Sequence, residues 1–95
     1  MSKFNELIQG ETPVIVNFYA EWAPTCDEIG DQLKDLKKDQ GDAIKMIKID
    51  FDKNEAVARK LNVLGVPTVI LFKEGTVLYK SSGEISVDDM ISKLS

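Results

Sequence analysis

The run from Val14 to Ala20, VIVNFYA, constrains this chain more than any other stretch. Val14, Ile15, Val16, Phe18 and Tyr19 occupy both parities, so a strand made from them presents apolar side chains on both faces of a sheet. Such a strand has to be covered on both sides, as a central parallel strand flanked by helices is. A strand with one solvated face would alternate apolar and polar residues instead.

The flanking sequence supplies covering layers. Ser2 is placed to cap a helix from about Lys3 to Gln9, with Phe4, Leu7 and Ile8 at helical spacing and Gly10 to end it. Pro24 suits a first helical turn, where its missing N–H is not needed, and predicts a helix to about Gln40 with Ile29, Leu33 and Leu36 as its apolar stripe. Gly30 inside that helix marks close packing or a bend. AIKMIKIDF, from Ala43 to Phe51, is again apolar on both parities and predicts a second buried strand. Asp52 and Glu55 are spaced as a capping box for a helix through Leu61. VPTVILFK and TVLYKS flank Glu74-Gly75 and predict a tight antiparallel hairpin. Ser86 then caps a last helix carrying Val87, Met90, Ile91 and Leu94. The order α-β-α-β-α-β-β-α predicts an α/β domain spanning residues 1–95, with a mixed sheet of four strands, the first two parallel, and helices on both faces.

Composition removes several functions. With a net charge of −4 and lysines interspersed among acids, nucleic acid is not an expected partner. No apolar run approaches the length of a membrane span, and the N-terminal segment lacks the pattern of a secretory signal, so a cytoplasmic location is expected. The chain has one cysteine and no histidine, which excludes an internal disulfide, Cys-His catalysis, Ser-His-Asp triads and histidine-based metal sites. DFDKNE lacks the glycine and the spacing of a calcium loop, so no metal is expected there. Asp31, Lys34, Asp35, Lys37 and Lys38 read as a solvated helix face with weak ion pairs at most.

The chemistry concentrates in EWAPTCDE, Glu21 to Glu28, at the carboxyl end of the central strand, where open α/β sheets collect their sites. If Pro24 is the first helical residue, Ala23 is the N-cap, and alanine offers no acceptor to the free N–H groups of the first turn. An anion is favoured at that point, and a thiolate would fit it. A cysteine at position 23 would complete Cys-x-x-Cys with Cys26.

Here the chain resembles the thioredoxin family. VIVNFYAEWAPTC is similar to that family's strand followed by Trp-Cys-x-x-Cys, with Ala23 in the place of the first cysteine. VLGVPTVILFKEG resembles its second landmark, a proline that follows a cis bond and faces the active site, which here is Pro67. SSGEIS resembles the glycine segment before the last helix. The resemblance implies a thioredoxin fold without the family's leading strand, leaving the strand around Ala43 to Asp50 as a possible sheet edge. Edges invite pairing with another chain, so a monomer is expected with a dimer left open. It implies protein disulfide reduction by thiol–disulfide exchange in cell redox homeostasis, no bound cofactor, and two kinds of partner: thioredoxin reductase and disulfide-containing proteins.

The resemblance also assigns residues. Cys26 holds the resolving position, and Ala23 stands where the nucleophile is missing; Trp22, Pro24, Thr25, Val66, Pro67 and Gly83 form the expected substrate groove. Asn17 stands where many members bury an aspartate that assists proton transfer from the second cysteine; that role is lost, or passes to water or to an acid such as Glu21. Lys48 reads either as a solvent-facing lysine on an edge strand or, by resemblance, as a residue beneath the active site. The middle of the motif, Pro24-Thr25, departs from the family's common Gly-Pro. Without the nucleophile the dithiol cycle is not expected to run. Ala23 is explained either by a natural redox-dead member or by a laboratory Cys-to-Ala change, and the thioredoxin-like surroundings favour the second. The other functional reading is a non-catalytic interaction module using the same groove.

Overall fold

A computed structural model of the protein describes residues 6–94. Residues 6–8 are helical (α1); Ser2 and Phe4, on which its expected cap and part of its apolar stripe rest, lie outside the described residues. There follow β1 (Val14–Tyr19), α2 (Thr25–Gln40), a 3-10 turn (Gly41–Ala43), β2 (Lys45–Asp50), α3 (Glu55–Lys60), β3 (Thr68–Lys73), β4 (Thr76–Ser82) and α4 (Val87–Leu94). The strands form one sheet in the order β2-β1-β3-β4, with β1 and β2 parallel and the other neighbours antiparallel. This is the mixed sheet that the element order predicts.

β1 is central because both its faces are consumed. Val14, Val16 and Phe18 pack with Ala58 of α3 and with Ile70 and Phe72 of β3. Ile15 packs on the other face with Ile29, Leu33 and Leu36 of α2 and Met90 of α4. Each such side chain taken fully from water contributes about 1.5–3 kcal/mol, so β1 joins two apolar layers that helices alone would not hold together.

Four local expectations need correction. β2 is not buried on both faces: Lys45 and Lys48 are exposed, and Met46, Ile47 and Ile49 are only partly covered. Among the described residues it is an edge strand, with β1 as its one neighbour. Gly30 is not a close-packing site, because a Cβ built there meets nothing within 4 Å. Lys37 is not simply solvated; its ammonium donates to the carbonyls of Gly41 (2.8 Å) and Ile44 (2.7 Å) and closes the end of α2. Asp52 does not cap α3: Asn54 occupies the cap position without a side-chain cap bond, and the Asp52 carboxylate is used elsewhere.

Other local readings match the structure. Glu74 (φ 53°) and Gly75 (φ 80°) both have positive φ, as a two-residue primed hairpin turn requires. The Asp89 N–H donates to Ser86 Oγ at 3.2 Å, so Ser86 caps α4.

Candidate functional site

β1 delivers the chain into the corner at Ala20–Pro24. Pro24 already has helical dihedrals (φ −60°, ψ −35°), so it fills the first helical position although the regular helix begins at Thr25. Ala23 is therefore the residue immediately before the first helical one, and among the described residues no side chain caps α2. The Ala23 N–H donates to the Ala20 carbonyl (3.2 Å), and the Cys26 N–H donates to the Ala23 carbonyl (3.1 Å). Ala23 and Cys26 are each 6% exposed and pack with Ala20, with Tyr19 and Val66 against them. Positions 23 and 26 thus share one small cluster, one turn apart, at the donor-rich end of a helix.

Trp22 is 68% exposed, which rules out an ordinary core role. Its indole is nevertheless held: Nε1–H donates to Asp52 Oδ2 at 2.7 Å. Asp52 is presented by a loop fixed on Asp50, whose Oδ1 accepts from the Lys53 N–H (3.1 Å) and whose carbonyl accepts from Asn54 Nδ2 (2.9 Å). Asp52 is the site residue that sequence reasoning missed. Its spacing from Glu55 pointed to a cap, and the one usable signal was an exposed loop tryptophan whose N–H needs an acceptor.

The opposite wall is the Val66-Pro67 segment, whose peptide bond is cis, as the resemblance implied. Thr68 Oγ1 donates to the Gly65 carbonyl (2.8 Å), and the Gly83 N–H donates to the Pro67 carbonyl (2.9 Å), so the loop is tied at both ends. Gly83 has φ 93°, a conformation open mainly to glycine. Pro67 is buried, whereas Pro24, Thr25 and Gly83 are exposed. Thr25 and Gly83 border a common depression of about 330 Å³. Among the described residues, the backbone N–H and C=O of Val66 have no hydrogen-bond partner.

Beneath this surface lies a second pocket of about 510 Å³, lined by Asn17, Glu21, Cys26, Gly30 and Lys48, among others. Asn17 is 3% exposed, and its Oδ1 has no hydrogen-bond partner among the described residues. Lys48 stands opposite Asn17 in the β1–β2 register, and its ammonium lies 4.6 Å from the centre of the Tyr19 ring. Both sequence readings of Lys48 therefore describe its position: it is exposed on an edge strand, and it borders the pocket that reaches Cys26.

The family model for thioredoxin matches residues 1–95. The chain is 32% identical over 94 residues to the chloroplastic thioredoxin Y of rice, Oryza sativa, covering 98% of this chain but 56% of that protein. It is 37% identical over 73 residues to the thioredoxin of Bacillus subtilis, covering 77% of this chain and 70% of the other. The chain thus spans little more than half the length of the rice relative. The solved thioredoxin of Malassezia sympodialis superposes with a TM-score of 0.83 over 97% of this chain and 83% of its own, at 22% identity, and supports the fold.

Proposed function

The chain belongs to the thioredoxin family, and on that premise we propose that its corner at Ala23 is a disulfide-exchange site from which the nucleophilic sulfur is missing. The observation that carries this reading is the uncapped start of α2, where Ala23 offers no acceptor and packs beside the buried thiol of Cys26. A cysteine at position 23 would stand beside the Thr25 N–H, unpartnered among the described residues, and the positive end of the helix dipole, which favour its thiolate. That thiolate would attack a substrate disulfide and form a mixed disulfide; Cys26 would then displace the substrate sulfur and leave the protein oxidised. Alanine removes the first step, so this chain does not turn over.

Trp22, Pro24, Thr25, Val66 and Gly83 form the groove in this reading, with the buried Pro67 supporting it. The unpaired backbone groups of Val66 would receive an extended substrate segment by strand pairing. The partners would be disulfide-containing proteins and, for reduction, thioredoxin reductase. The test is dithiol-dependent reduction of insulin by the chain and by its Ala23→Cys form. Activity in the Ala23→Cys form alone is the expected result. The competing reading, a binding module without redox turnover, is favoured by the combination of a missing nucleophile and an intact groove; silence in both forms would select it.

A further inference from the structure

Asn17 poses a problem that the exchange site does not absorb. A buried polar atom without a partner costs about 1–3 kcal/mol, and among the described residues Asn17 Oδ1 is such an atom; its side chain is 3% exposed and belongs to a residue lining the pocket that also contains Cys26. Turning the amide exchanges Oδ1 and Nδ2, so the pocket is offered either an acceptor or a donor. The pocket measures about 510 Å³ and is left open by Gly30, whose built Cβ meets nothing within 4 Å. Its rim carries both signs of charge: Glu21, Asp27 and Asp31 against Lys34 and Lys48. A thiol, an unpaired amide and a rim of mixed charge match a small zwitterion that brings its own sulfur.

We propose that the Asn17–Cys26–Lys48 pocket is a modification site at which Cys26 is capped by a low-molecular-weight amino-acid disulfide of the cystine type. The ligand's ammonium meets the rim carboxylates and the Asn17 amide, and its carboxylate meets Lys48 and Lys34. Cys26 loses its proton to solvent in the pocket and its sulfur attacks one sulfur of the small disulfide. The ligand's S–S bond breaks, a Cys26 Sγ–S bond forms, and the released thiolate takes up a proton. The small disulfide is the oxidant, and no second protein cysteine is needed. Because position 23 carries no sulfur, nothing within the chain resolves the cap. The inference does not depend on protein disulfide turnover.

The experiment is mass-spectrometric timing of Cys26 modification in the folded chain by L-cystine and by the uncharged 2-hydroxyethyl disulfide. The readout is the ratio of the two initial rates in the folded chain divided by the same ratio in the chain unfolded in urea, which cancels both the reactivity of the thiol and the different leaving groups of the two disulfides. One ion-paired hydrogen bond makes cystine about tenfold faster. Asn17→Leu and Lys48→Met should each bring the ratio toward unity, with folding checked by circular dichroism. Lys48 is exposed on an edge strand, so its replacement keeps the test open if Asn17→Leu does not fold. A ratio near unity in the unmodified chain overturns the proposal. So does a ratio unchanged by Lys48→Met, or a Cys26 that no disulfide modifies until the protein is denatured.

Discussion

Replacing Ala23 with serine tests the reasoning about the corner without any redox chemistry. In the first turn of α2 Pro24 has no N–H, the Cys26 N–H already donates to the Ala23 carbonyl at 3.1 Å, and the Asp27 N–H donates to the Pro24 carbonyl at 3.0 Å. The Thr25 N–H has no partner among the described residues. A serine hydroxyl at position 23 would accept from the first turn, and such a cap is worth about 0.5–2 kcal/mol over alanine, typically about 1. Position 23 is 6% exposed, so part of that gain is offset by desolvating the hydroxyl unless its proton reaches a nearby carbonyl. The net expectation is a stabilisation of about 0.5 kcal/mol, which for a domain of this size raises Tm by about 2–4 °C. The assay is urea and thermal unfolding followed by circular dichroism in reductant, with Ala23→Val as a control that adds bulk and no acceptor. A Tm for Ala23→Ser equal to or below that of the parent would refute the claim that the helix start lacks an acceptor. The same result would weaken the expectation that a thiolate is favoured there.

Other residues give further expectations. Asp52→Ala frees the indole of Trp22, the only tryptophan, so acrylamide quenching of its fluorescence should increase; unchanged quenching would show that the 2.7 Å bond does not order the ring in solution. Phe18→Ala empties a fully buried position shared by β1, α3 and β3 and should cost about 3–5 kcal/mol in urea unfolding; a loss below about 1 would contradict the packing described. Asn17→Asp places a carboxyl in a site 3% exposed, where burial raises its titration above the unfolded value of about 3.9. The folded form then holds the proton more tightly, so stability should be nearly intact below about pH 4. It should fall by up to about 1.4 kcal/mol per pH unit above that, until the folded carboxyl ionises. Nearby Lys48 would limit the fall, and an equal loss at low and neutral pH would argue against an electrostatic origin.

Local sequence determined what depends on local physics. The apolar residues of both parities in VIVNFYA made β1 central, because no single covering layer could bury them. Pro24 placed the start of α2, Ser86 the start of α4, and Glu74-Gly75 the hairpin, since each is a choice among a few backbone conformations. The same reasoning failed for β2, whose pattern resembles that of β1. Burial there is decided by which strands flank it, and β2 lies at the sheet edge. The cis bond before Pro67 was legible through family resemblance and not through its neighbours. Asp52 read locally as a helix cap, and only the fold brought it within hydrogen-bonding distance of Trp22. The pocket joining Asn17, Cys26 and Lys48 is likewise a product of β1, β2 and α2 meeting. Periodicity records how many faces of an element are apolar, whereas packing between distant segments decides which face meets which, and that part of the site exists only in the tertiary structure.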